Sequence, residues 1–327
     1  TGMANPPPSD DGVPTSDEFL FMCRNGQLED VCAVLGQLES EGMLEDGRTA
    51  LLHCRHRDLD WTPLHFAVSN GHRDICMTLV KAGCNVQIVD RLQATPLHVA
   101  SANGHADVVT FLLGAGAEVE AIDHQHCTPL HLAVRKGSKD VVRVLLATGG
   151  AILDAREQYG AAPLHLACWS GHADIVTQLL EAGANLEASD FQQRKPLHMA
   201  CWSGHKDVVG ELIRAGADTN SRDDEEGTPL HLAALYGHTD VVTQLLDAGA
   251  NLEAKTTQQA TPLHLASYHG HAGTVQLLLT AGAKAEVRDQ QNASPMELAA
   301  AGGQEEVLQV ISIQSFLKSL SQRKKSG

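Results

Sequence analysis

Aromatic residues are scarce. Phe, Trp and Tyr make up 4% of the 327 residues, so a core of packed rings is excluded and apolar packing falls to Leu, Val and Ala within a hydrophobic fraction of 43%. Basic side chains are also few: 24 Lys and Arg stand against 40 Asp and Glu, for a net charge of −16. A phosphate backbone is held by clustered cations, so nucleic acid is excluded as the main partner and a neutral or basic protein is expected. No apolar run reaches 18 residues, and the N-terminus lacks the basic-then-apolar order of a secretory signal; no membrane span is expected. The eight cysteines form no CxxC pair and are too sparse for a disulfide-stapled secreted domain. Read as reduced thiols, they point to the cytosol or nucleus. Nucleophile elbow, Gly-rich phosphate loop and HExxH are all missing, so neither an enzyme nor a cofactor is expected.

What is present is one block, repeated. TPLHFA starts at Thr62, TPLHVA at Thr95, TPLHLA at Thr128, APLHLA at Ala162, KPLHMA at Lys195, TPLHLA at Thr228 and Thr261, and SPMELA at Ser294. Its prolines, at 63, 96, 129, 163, 196, 229, 262 and 295, are spaced by 33 residues with a single spacing of 34. A fixed period of this length marks a stacked array in which each unit buries its apolar face against its neighbours.

The residues of one unit predict its local structure. Thr95 suits a helix N-cap and Pro96 the first helical position, where its missing N–H is harmless. Leu97, Val99 and Ala100 supply an apolar face, and Gly104 ends this first helix. Asp107 sits near the positive end of a second helix whose stripe is Val108, Val109, Leu112 and Leu113, closed by Gly116. The polar stretch before the next Thr-Pro suits a projecting hairpin or loop. TPLHLA followed by GHADVV and LLxAGA resembles the ankyrin repeat, over about four-fifths of the chain. Eight units start near Arg57, Asp90, Asp123, Glu157, Asp190, Asp223, Thr256 and Asp289. The resemblance implies an all-α solenoid of antiparallel helix pairs with hairpin or loop fingers, inner helices lining a concave groove, and protein binding as the activity.

Departures from the period predict the ends. Residues 17–60 read as a degenerate N-terminal helix pair, with Gly26 as a helix stop, followed by an irregular loop around 42–60. The eight repeats span 57–313. Met296 and Glu297 in place of Leu and His, with the added polarity of Gln304, Glu305 and Glu306, mark the last unit as a cap, and 314–327 reads as a helical extension ending in a basic tail. Residues 1–16 read as a disordered acidic, Pro-rich tail. Arg323, Lys324 and Lys325 form a minimal basic cluster of the nuclear-import type.

Thirteen of the 18 histidines recur at the period and are expected to bond neighbouring backbone between units. The remaining ones include two short clusters, His53-Cys54-Arg55-His56 and His124-Gln125-His126-Cys127, neither with a recognised zinc spacing, so no metal is expected.

The aromatics carry the functional expectation. With each unit numbered from its start, position 13, at the end of the first helix, reads Ser69, Ala102, Arg135, Trp169, Trp202, Leu235, Tyr268 and Ala301. Four consecutive units place a large apolar side chain there. Tyr236 and His269 follow at position 14, the fingers add Tyr159 and Phe191, and Asp224 and Glu225 belong to an acidic finger. The expected site is therefore Trp169, Trp202, Leu235, Tyr236, Tyr268, Tyr159, Phe191, Asp224 and Glu225: a ridge about 30 Å long across units four to seven, able to take an extended segment of about nine residues. The chain reads as a monomeric, non-enzymatic scaffold or adaptor binding a protein segment, neutral or basic, in that groove. The alternative is a structural subunit held in a larger assembly by its N-terminal insertion and C-terminal extension.

Overall fold

The structure, a computed structural model, describes residues 14–40 and 45–325, with side chains described over 14–38 and 49–317. Most of the acidic N-terminal tail and the final two residues lie outside the described residues. The chain forms two compact units, one ending at Gln158 and the other beginning at Tyr159. The first contains α1 (Ser16–Asn25), α2 (Leu28–Ser40), α3 (Glu45–Leu52), α4 (Pro63–Ser69), α5 (Arg73–Lys81), α6 (Pro96–Asn103), α7 (Ala106–Gly114), α8 (Pro129–Lys136) and α9 (Lys139–Ala147). The second contains α10 (Pro163–Ser170), α11 (Ala173–Glu181), α12 (Pro196–Ser203), α13 (Lys206–Arg214), α14 (Pro229–Leu235), α15 (Thr239–Asp247), α16 (Pro262–Tyr268), α17 (Ala272–Thr280), α18 (Pro295–Ala301) and α19 (Glu305–Lys325). No strand occurs among the described residues.

From α4 onward each even-numbered helix opens on a repeat proline and pairs with the helix after it. From α4 onward, within each unit, even helices pack on even ones and odd on odd, giving two layers, and α1 and α2 extend the first unit's layers by packing on α4 and α5. Leu164, Ala167, Val176 and Leu179 are fully buried, as are Val208, Val209 and Leu212 one repeat later, so the core is the aliphatic one that the composition requires.

The repeat histidine ties these helices together. In the first unit, the Thr62 N–H donates to His65 Nδ1 (3.2 Å), and the Thr62 hydroxyl lies 2.9 Å from the same atom. A backbone N–H can only donate, so Nδ1 is the acceptor and Nε2 carries the proton. Nε2–H then donates to the Ala94 carbonyl of the next finger (3.2 Å). The same bridge runs from His98 to Cys127, His165 to Arg194, His198 to Gly227, His231 to Ala260 and His264 to Ala293. In the last repeat Glu297 takes the cap role alone, its Oε2 accepting from the Ser294 N–H (2.7 Å) and hydroxyl (2.8 Å).

The fingers are tight turns. Asp190 Oδ1 accepts from the N–H groups of Gln192 and Arg194 (both 2.9 Å), while Gln193 adopts φ 59°. Asp90, Asp123, Asp223 and Asp289 repeat this arrangement, a side chain closing its own turn. Adjacent fingers within the second unit are joined by one backbone bond each, Phe191 N–H to Tyr159 O, Asp224 N–H to Gln192 O, Thr257 N–H to Glu225 O and Gln290 N–H to Gln258 O.

Three expectations at the ends change. Thr15 and Glu18 form a reciprocal capping box, so the cap of α1 lies inside the stretch read as tail. Helix α3 occupies part of the stretch expected to be an irregular loop, and packs on α2. At the other end α19 is continuous to Lys325, taking in most of the residues read as a basic tail.

Candidate partner-binding face

In the second unit, the ends of the inner helices bring aromatic rings together. Trp169, near the end of α10, meets Trp202, near the end of α12, edge to face at 5.1 Å between centroids and 79° between planes. Trp202 in turn stacks on Tyr236 at 5.7 Å and 13°, and Tyr236 on His238 at 6.3 Å. Tyr268 begins a second cluster, edge to face with His269, which stacks on His271. Trp169, Tyr236 and Tyr268 remain 44%, 42% and 49% exposed. These geometries, offset or T-shaped, are the favoured ones for aromatic pairs.

The backbone beneath the rings is fixed by the second set of periodic histidines. His205 Nε2 donates to the Trp169 carbonyl (3.1 Å), His238 to the Trp202 carbonyl (2.9 Å) and His271 to the Leu235 carbonyl (2.9 Å). Gln304 does the same for Tyr268 from its Nε2 (3.2 Å). Both periodic sets thus bond backbone of a neighbouring repeat. Each ring therefore rides on a helix end pinned by the repeat that follows.

Arg194 links the rings to a finger. Its guanidinium carbon lies 5.3 Å from the centroid of Trp202, a cation–π distance. Nε and Nη2 both reach Asp190 Oδ2 at 2.7 Å, and Asp190 is buried. The cation is thus oriented by a carboxylate that also closes the turn.

The expected ridge is only partly continuous. The ring following Trp202 is Tyr236 rather than its neighbour Leu235, which is half-buried and contributes its carbonyl to His271. Tyr159 and Phe191 are about two-thirds exposed at adjacent fingertips, with Phe191 folded against Gly160: a Cβ built on that glycine would lie 2.6 Å from the ring. Asp224 and Glu225 are exposed at the tip of the next finger, whereas Asp223 turns inward, its pKa raised by burial, and Glu226 pairs with Arg222. Sequence reasoning missed Arg194, His238 and His271 as neighbours of the rings. Arg194 carried one signal, a basic residue directly before the Lys-Pro of its block.

The other clusters singled out in the sequence have structural work. The His124 N–H and Nδ1 both lie against the Leu92 carbonyl, His126 occupies the left-handed position of its turn, and the Cys127 carbonyl receives His98. Among the described residues no group of three His, Cys, Asp or Glu is placed to hold an ion. Cys168 and Cys201 are buried and free, their thiols pushed up by desolvation. No helix among the described residues is long and apolar enough to cross a membrane.

Comparison with known proteins agrees with the repeat geometry. Models of ankyrin repeats in three copies match residues 19–123, 115–190 and 186–256, and a model of ankyrin repeats in many copies matches 245–299. Human oxysterol-binding protein-related protein 1 is 33% identical over 76 residues, covering 22% of this chain and 8% of that protein, so the chain spans a small fraction of that relative's length. Ankyrin repeats generally mediate protein–protein interaction and are typically non-enzymatic. With models matched from residue 19 to residue 299, the chain belongs to the ankyrin repeat family.

Proposed function

We propose that the second unit is a binding module for an extended, basic protein segment, which lies across Trp169, Trp202, Tyr236 and Tyr268 and meets Asp224 and Glu225. The observation that carries this reading is the exposure of Trp169, Tyr236 and Tyr268 in a chain whose core is filled without rings. Large amphipathic side chains left half in water, on backbone already pinned from below, offer contact area at little ordering cost. Trp202 has a double duty: Arg194 and Tyr236 lie against it, so it supports the face as well as lining it. Leu235, Tyr159 and Phe191 flank the segment's path. The wider scaffold or adaptor role follows from a chain that binds without catalysing.

Selection of a random peptide library against the chain tests the reading. Enriched peptides should carry Lys or Arg beside apolar anchors. Trp169→Ala should lower their affinity about 30-fold, equivalent to about 2 kcal/mol, with the thermal midpoint little changed. Asp224→Lys combined with Glu225→Lys should remove the preference for basic peptides. Peptides whose affinity ignores both variants would sink the proposal.

A further inference from the structure

The C-terminal helix carries an apolar stripe that its own repeat does not bury. The outer helices α5, α7, α9, α11, α13, α15 and α17 are each nine residues long, whereas α19 has 21. The excess of about 12 residues is ~18 Å of helix. Val307 and Ile311 are buried where α19 packs on α17 and α18. Further along, Ile313, Phe316 and Leu317 are 58%, 62% and 51% exposed. Their i, i+3, i+4 spacing places them on one side of the helix, roughly opposite Val307 and Ile311, and Leu320 continues the register at i+7. On that same side the earlier turns carry the exposed Glu306 and Gln309. The side therefore changes from polar to apolar as the helix outruns the length of its neighbours. From Val307 to the end the sequence holds no Asp or Glu but has Lys318, Arg323, Lys324 and Lys325, within a chain of net charge −16.

We propose that the distal half of α19 docks as an amphipathic helix in an acidic-rimmed apolar groove of a partner protein, of the kind a calcium-loaded EF-hand sensor opens. Anchors at i, i+3, i+4 and i+7 are the spacing by which a helix fills such a groove, and the cations match its rim. A second copy of this chain fits less well: the stripe spans only eight residues, little more than one heptad, and a parallel pair would oppose four like charges. A bilayer surface fits less well too, because the stripe is narrow, bordered by Ser312 and Gln314, and offers little apolar area to hold a membrane.

The test titrates the full chain with calmodulin, used as the probe, in calcium and in chelator, followed by calorimetry. A one-to-one complex in calcium only is expected. Ile313→Asp with Leu317→Asp should weaken it about 30-fold or more, and Lys324→Glu with Lys325→Glu about 10-fold, both with unchanged thermal melting. Absence of binding in calcium overturns the proposal, as does binding that both variants leave intact. So does sedimentation with phosphatidylserine vesicles, or dimerisation lost in Leu317→Asp, found in place of binding to the sensor.

Discussion

Gly204 and Gly216 hold equivalent left-handed positions, at φ 75° and 93°, one closing α12 and the other following α13. A side chain at either is strained by about 1–2 kcal/mol. Their surroundings differ. A Cβ at Gly216 would meet nothing within 4 Å, whereas at Gly204 it would lie 2.5 to 2.8 Å from the ring of His238, the residue that bonds the Trp202 carbonyl. Gly204→Ala should therefore cost about 1 kcal/mol more than Gly216→Ala, the contribution of one displaced hydrogen bond. Urea midpoints of the two variants decide this, and equal shifts would argue against the close approach. Tryptophan fluorescence should change only in Gly204→Ala, because only that substitution disturbs the backbone under Trp202.

The seven inner helices that carry the repeat histidine share one cap with two exceptions. Thr62, Thr95, Thr128, Thr228 and Thr261 each place a hydroxyl 2.8 or 2.9 Å from the Nδ1 of the histidine three residues on. Ala162 has no hydroxyl to offer, and Lys195 instead sends Nζ to the Glu187 carbonyl and Ser189 Oγ. Ala162→Thr should stabilise the chain by about 1 kcal/mol, read as a rise in urea midpoint, whereas Lys195→Thr should gain less because it gives up two bonds. A neutral or destabilising Ala162→Thr would show that the site cannot take the threonine rotamer. Such caps were legible in the sequence because Thr, Pro and Gly act on the backbone within a residue or two of themselves. Helix α3 was not, since eight residues between two landmarks carry too little periodicity to be told from a loop. The site divides in the same way. The aromatic positions followed from the period, but whether Leu235 or Tyr236 meets Trp202, and that Arg194 lies over that ring, depends on side-chain directions set by packing between repeats.

Across the whole molecule the bridging histidines make stability depend on acid. Burial lowers the pKa values of His65, His198 and His231 from 6.5 to about 4, and those of His98 and His264 in the same direction. The hydrogen bonds agree with that direction, because a proton on Nδ1 would oppose the backbone N–H that donates to it. Above about pH 6.5 these histidines are neutral in both the folded and unfolded chains and stability is insensitive to them. Between about pH 6.5 and 4 the unfolded chain takes up protons that the folded chain refuses, so stability falls as pH falls. Three such groups give a slope approaching about 4 kcal/mol per pH unit. Glu297 adds a separate effect at lower pH. The Ser294 N–H and hydroxyl hold its carboxyl below the ordinary value of 4.5, so its contribution is present above that value and is lost only as pH falls through the lowered one. Urea unfolding at pH 7, 6 and 5 should therefore show a loss of stability well before the carboxylates titrate. His231→Gln, though destabilising at pH 7, should reduce the slope by about one proton, while Glu297→Gln should leave it unchanged in that range. A flat profile between pH 7 and 5 would mean that the bridges accept a proton in place, and that Nε2–H to carbonyl bonds do not depend on a neutral ring.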